Sequence, residues 1–292
     1  MKIINFGSLN IDYVYRVDRF LLPGETRPAK TRSIHAGGKG LNQSIALARA
    51  GAKVYHAGIT GNDGALLIET LQESGVDIVY LKKTEDVGGH TVIQVDDNGE
   101  NTILLFGGTN RALTKEYIDG VLQHFSKNDI VLLQNEVNLA EYIIEKAFDS
   151  GMRVAFNAAP IDTGVKHYPL EKTSWLIVNE IEGGELTGKE KPEEILKTLG
   201  SKYPATAILL TLGEHGSHYL CGNEELYVPA CKVQNIADTT GAGDTFTGYF
   251  LHAVTEGNPV IKALETASKA SALAIQKNGA ASSIPWAADL AL

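Results

Sequence analysis

The 292-residue chain has little cysteine: Cys221 and Cys231 are its only two. Two thiols cannot build a disulfide framework, and their spacing matches no zinc motif, so both are expected to be reduced. No stretch of about 18 apolar residues occurs, so no helical membrane span is expected. The opening MKIINFGSLNID lacks the apolar core of a signal peptide, which points to the cytoplasm. Basic charge is also scarce: 26 Lys and Arg against 35 Asp and Glu leave a net charge of −9. That argues against nonspecific binding to nucleic acid or anionic membranes. It leaves room for an anionic small ligand, because backbone N–H groups at a helix start hold phosphate without a basic surface. Two glycine motifs are missing as well. A G-x-x-x-x-G-K-[ST] loop occurs nowhere, and the dinucleotide fingerprint fails at Phe246, where its third glycine would stand.

What is present is a rhythm of strands and helices. Lys2–Gly7, Lys53–Gly58, Ile130–Gln134, Met152–Asn157, Trp175–Val178 and Ala207–Leu212 read as short buried strands. Between them, Leu41, Ile45 and Ala48 form a helical stripe stopped by Gly51, and Ala65–Glu73 reads as a helix. Asn138 with Glu141 resembles a capping box for a helix ending near Gly151. Such alternation predicts an α/β domain with a mainly parallel sheet covered by helices on both faces. Length agrees with one domain over residues 1–292. Ile11–Val17 and Thr91–Phe106 break the rhythm, and Asn98-Gly99 inside the second is a hairpin signal. They predict a small antiparallel sheet, a lid formed by about residues 11–36 and 88–109.

The stretch DTTGAGDTF (238–246) carries the chemistry. Phe246, Tyr249, Phe250, Ala253 and Val254 form an apolar stripe, so a helix begins near Gly243 or Asp244 and ends at Gly257 and Pro259. Glycines at 241 and 243 allow a tight turn, and the free N–H groups of the first helical turn attract an anion. From this motif alone, Asp244 reads equally as a helix cap or as a held proton acceptor. A second glycine cluster, Gly37-Gly38-Lys39-Gly40, precedes the helix bearing Asn42. Polar residues follow the strand ends, where ligands of open α/β sheets bind. They are Asn10, Asp12, Glu136, Asn157, Asn179 and Thr211.

These stretches, with GSLNID (7–12), AGGKGLNQSIALARAGA (36–52), GENTI (99–103), NAAP (157–160), VNEIE (178–182), TLGEHG (211–216) and NGAASSIPW (278–286), resemble the ribokinase (PfkB) family of sugar and nucleoside kinases. The resemblance runs nearly end to end and implies the three-layer fold of that family. It implies ATP-dependent phosphorylation of a small sugar, first the 5-hydroxyl of D-ribose, with deoxyribose, another sugar or a nucleoside as alternatives. A non-catalytic sugar sensor on the same fold is the reading outside enzymology. Asp244 would be the general base, and the Gly241, Ala242 and Gly243 backbone the anion hole. Asn10, Asp12, Gly38, Lys39, Asn42 and Glu136 would hold the sugar. Asn179, Thr211, Gly213 and Gly216, together with Gly243, would line the nucleotide site. Glu182 would act indirectly on Mg²⁺ arriving with ATP. Asp238 and Thr240, with Ala274, Lys277, Gly279 and Ser283, would bind K⁺ or another monovalent cation. Ser268 and Lys269 lie where the adenine contact is expected. The family's habit implies a homodimer formed through the lid.

Overall fold

The computed structural model describes residues 1–291. Nine strands form one sheet in the order β13-β12-β11-β10-β9-β8-β1-β4-β5. From the centre outward these are β1 (Ile3–Phe6), β4 (Val54–Thr60) and β5 (Asp77–Lys83) on one side, and β8 (Ile130–Gln134), β9 (Arg153–Asn157), β10 (Trp175–Asn179) and β11 (Ala207–Thr211) on the other. All of these pair in parallel, and β12 (Ser217–Cys221) and β13 (Glu224–Val228) finish the edge as antiparallel strands. The strands bury both faces, as alternate residues show. Ile3, Leu132, Ile177 and Leu209 enter one core with α1 (Lys39–Ala50), α2 (Ala65–Glu73), α7 (Ala242–Thr255) and α8 (Val260–Ala274). Ile4, Leu133, Val178 and Leu210 enter the other with α3 (Lys115–Leu122), α4 (Ala140–Asp149) and α6 (Pro192–Lys202), while α5 (Glu180–Thr187) links β10 to α6. Two cores on two faces of one sheet make the three expected layers.

A separate sheet, ordered β3-β2-β6-β7, consists of β2 (Asn10–Arg16), β3 (Thr31–Gly37), β6 (Gly89–Val95) and β7 (Asn101–Phe106). The hairpin expected at Asn98-Gly99 joins β6 to β7, and Asp96 holds it by accepting from the Asn98 and Glu100 N–H groups. The sheet is mixed rather than antiparallel, because β2 pairs with β6 in parallel, from Asn10 opposite Gly89 to Arg16 opposite Val95. Both strands leave the same edge of the main sheet, just beyond β1 and β5, and so run outward side by side. Only the returning strands, β3 and β7, are antiparallel to their neighbours. The capping box at Asn138 also fails to form. Asn138 spends its amide on Leu113, accepting from its N–H at 3.0 Å and donating to its carbonyl at 2.8 Å, while Leu139 starts α4 at φ 59.

His56 of β4 lies fully buried among these layers, bonded to Ser44 Oγ at 2.8 Å and to the Gly7 carbonyl at 3.2 Å. Burial pushes its pKa from 6.5 down to about 4. The folded protein therefore keeps it neutral where the unfolded chain binds a proton, so stability falls as pH drops from 6.5 toward 4. The full effect is up to about 3 kcal/mol. Urea unfolding at pH 7 and at about pH 4.5 checks this: the wild type should lose more stability on acidification than His56→Gln. Equal losses would remove His56 as the cause.

Candidate active site

Helix α7 begins at Ala242, one residue before the expected start, with Gly241 as its cap at φ 78. This left-handed backbone suits glycine, and a Cβ there would meet Ala280 Cα at 3.2 Å. Of the three N–H groups assigned to the anion hole, that of Ala242 donates to the Thr239 carbonyl at 3.2 Å. Asp244 lies in the first turn, 6% exposed, and caps nothing. Its Oδ2 accepts from Asn42 Nδ2 at 2.9 Å and its Oδ1 from Gln43 Nε2 at 2.8 Å. Both amides come from α1. They reach Asp244 because Gly248 lets α7 press against Ala46 and Leu47 of α1, where a Cβ would collide. Asp244 therefore does not serve as a cap: the carboxylate is held from the side, with its geometry set by another helix.

The proposed sugar residues gather at the ends of β1 and β8. Gly38 caps α1, and the Lys39 N–H that follows donates to Glu136 Oε2 at 3.0 Å. Ser8 Oγ donates to the same oxygen. Asn10 is buried and accepts from Asn110 Nδ2 at 2.7 Å; Asp12 accepts from Thr91 Oγ1 at 2.6 Å. Burial raises the pKa of Glu136, Glu182 and Asp12, the last against a lowering bond from Thr91. Burial opposes the Lys39 charge too, but Asp244, Glu136 and Glu182 outweigh it and raise the lysine pKa. One cation thus stands among three carboxylates in a poorly solvated site. Sequence reasoning overlooked Ser8, Gln43, Thr91 and Asn110. Gln43 was the one in plain sight, next to Asn42.

On the other side of α7 opens a cavity of about 650 Å³. Thr211, Gly213, Gly216, Ala242 and Gly243 line it together with the apolar Phe246 and Ile275. Ser268 also lines it and accepts from the Cys231 N–H at 3.2 Å, whereas Lys269 points away and donates to the Leu290 carbonyl. Asn179 lies outside this lining. It caps α5 in a box with Glu182: the Glu182 N–H donates to Asn179 Oδ1 at 2.9 Å, and the Asn179 N–H to Glu182 Oε2 at 2.9 Å.

The residues assigned to a monovalent cation lie on the loop before α7 and, facing it, on the end of α8 and the loop that follows. Asp238 Oδ1 accepts from the N–H of Thr240 at 2.9 Å and its Oγ1 at 2.7 Å, and Oδ2 accepts from the Gly279 N–H at 3.0 Å. Burial raises the Asp238 pKa, but these bonds outweigh it and hold the group below the usual carboxylate range. The Lys277 N–H closes on the Ala274 carbonyl at 3.0 Å, and Ser283 Oγ donates to the Ala280 carbonyl at 2.9 Å. The ionised Asp238 carboxylate thus ties the two segments together through two backbone N–H groups and a hydroxyl, and the oxygens of these segments are of the hard type that suits an alkali cation. Among the described residues, no three His, Cys, Asp or Glu side chains converge as a metal cluster.

Residues 1–287 match the family described as pfkB family carbohydrate kinase. The chain belongs to that family. This kinase is 34% identical to a ribokinase of Schizosaccharomyces pombe over 98% of its own length and 95% of the relative's. It is 31% identical to a deoxyribokinase of Salmonella typhi, over 98% and 96% of the two chains. The structure of Arabidopsis thaliana ribokinase, complexed with ribose and ATP, superposes with a TM-score of 0.89 at 29% identity, covering 99% of the kinase and 97% of that chain. No helix among the described residues is long and apolar enough to cross a membrane.

Proposed function

We propose that this sugar kinase transfers the γ-phosphoryl group of ATP to the 5-hydroxyl of D-ribose. The observation that carries the reading is the position of Asp244. It stands at the start of α7, next to Gly243 of the cavity wall, and its two oxygens are held by Asn42 and Gln43. In this reading Asp244 takes the proton of the sugar hydroxyl. The N–H groups of Gly241 and Gly243 stabilise the charge on the phosphoryl group in transfer, that of Ala242 being engaged by the Thr239 carbonyl. Such chemistry depends mainly on positioning and electrostatics. Asn10, Asp12, Gly38, Lys39, Asn42 and Glu136 hold the sugar, and carboxylate and amide acceptors of this kind suit a ligand made of hydroxyl donors. Thr211, Gly213, Gly216 and Gly243 hold the nucleotide, Asn179 acting from beyond the cavity through its cap on α5. Bound Mg²⁺ would neutralise phosphate charge, and Glu182 is the residue we assign to orienting it. Bound K⁺ would steady the turn electrostatically. Asp238 and Thr240, with Ala274, Lys277, Gly279 and Ser283, are the residues we assign to it.

The reading extends to one domain whose smaller sheet serves as a lid. On that sheet Ile34, Leu104 and Phe106 are exposed on one face and Ile103 and Leu105 on the other, apolar surface that a second copy of the chain would cover. The reading also places the enzyme in the cytoplasm, where ATP is made available and thiols stay reduced. A second substrate, deoxyribose, is favoured by the likeness to the deoxyribokinase. The test is ADP release measured by a coupled assay, with and without D-ribose, in K⁺, in Na⁺ and without either, alongside sedimentation of the same sample. Ribose-dependent release, faster in K⁺, from a dimer is expected. Release that ignores ribose would overturn the substrate. Equal rates in all buffers would overturn the cation, and a monomer at micromolar concentration the lid dimer.

A further inference from the structure

Beneath the site lies a set of polar side chains in the core. Asn5, Gln43, Ser44 and Gln134 are 0% exposed, and Asn157 is 8% exposed. Burying amides costs free energy unless each finds its partners, so such a set calls for a reason. Their bonds run in one direction. Asn5 Nδ2 donates to the Gly40 carbonyl and to Ser44 Oγ, both at 2.8 Å. A backbone carbonyl can only accept, so Asn5 must turn Oδ1 toward Gln134. Gln134 Nε2 donates there at 3.1 Å and to Gln43 Oε1 at 2.7 Å. With Oε1 so occupied, Gln43 must face Asp244 with Nε2, donating to Oδ1 at 2.8 Å and to Asn157 Oδ1 at 3.0 Å. Asn157 is oriented in turn by its own donation to the Ile177 carbonyl at 3.1 Å. Two backbone carbonyls, Gly40 and Ile177, therefore set the sense of every amide between them. Gln134 Oε1 is left without a partner, which a flipped Gln134 would exchange for two facing oxygens.

We infer that Gln134 and Gln43 form an amide relay that positions Asp244 for proton abstraction, so that a residue touching neither substrate nor the base controls the rate. The inference rests on Asp244 being the base. Gln134 acts only through Gln43, and the charged groups that face Asp244, namely Lys39, Glu136 and Glu182, take no part in the relay. Without the Gln134 donor, Gln43 Oε1 loses its partner, and the amide is held only from its Nε2 side, by Asn157 and by Asp244 itself.

Gln43→Met and Gln134→Met remove the donors at similar volume. Each should lower kcat roughly 10²-fold, as a misplaced catalytic group does. KM for sugar and ATP should stay within about threefold, because the lost interaction does not bind ground-state substrate. The double variant should be no slower than Gln43→Met alone, because the second change has nothing left to act through. A folded Gln134→Met with kcat within about twofold of wild type, or with losses that multiply in the double variant, overturns the relay. Wild-type protein gives an independent reading if a variant fails to fold. The Gln43 side-chain amide should show a slowly exchanging, downfield ¹⁵N-bound proton that moves in Asp244→Asn. A free-amide shift with fast exchange would refute the relay. An inactive Asp244→Asn beside a normal Gln134→Met sinks the relay alone, while an active Asp244→Asn sinks the base itself.

Discussion

Asp244→Asn is expected to lower kcat by roughly 10²–10⁴-fold, the range for loss of a general base. The substitution keeps size and shape, so it leaves no cavity in the α1–α7 contact. It removes the proton acceptor and the negative charge. It also turns one side of the residue from acceptor to donor, so either Asn42 or Gln43, which now donate at 2.9 and 2.8 Å, loses its partner. That local conflict costs about 1–3 kcal/mol of stability for an unsatisfied buried group. The cavity beyond Gly243 is built by other residues, so ATP affinity should hold. Steady-state kinetics with calorimetric ATP titration separate these effects. Near-normal turnover would remove Asp244 as the base, and loss of ATP binding would mean that the residue supports the cavity instead.

Gly243→Ala should abolish most activity while sparing the fold. Gly243 lines the cavity, and a Cβ added there would meet no protein atom within 4 Å. Alanine is also the better helix former, by up to about 1 kcal/mol. The melting temperature should therefore stay level or rise. What the methyl group does enter is the space in front of the turn, where our reading seats the phosphate. A displacement of about 1 Å costs on the order of 10²-fold in rate, so kcat/KM should fall by about that much. Gly241→Ala is the contrasting control, because its positive φ and the neighbouring Ala280 make that change destabilising in itself. An active Gly243→Ala would move the phosphate away from this turn.

Much of the fold was legible because it depends on local pattern. Short apolar runs alternating with helical stripes yield strands that bury both faces; Asn179 and Thr211 end their strands and Glu136 follows β8, where the sequence places them. Asn98-Gly99 marks its hairpin for the same reason. What escaped depends on contacts between distant segments. The parallel pairing of β2 with β6 follows from where both strands leave the main sheet, which no residue in either encodes. Asn138 has the spacing of a cap but meets Leu113, 25 residues away, and that contact wins. Gln134 reads as the last residue of a buried strand, and its reach to Gln43 spans 91 positions. Asp244 shows the limit best. Its motif allows a cap or a base, and only the packing of α1 against α7 shows that it caps nothing.

The most direct measurement of the central claim is a competition. D-ribose, 2-deoxy-D-ribose and a nucleoside are mixed at equal concentration with limiting ATP and the purified enzyme, and the phosphorylated product is identified by phosphorus NMR. The account predicts ribose 5-phosphate as the main product, formed one for one with ADP. A predominant deoxyribose or nucleoside phosphate, phosphate on another ribose hydroxyl, or ADP without any phosphosugar would contradict it.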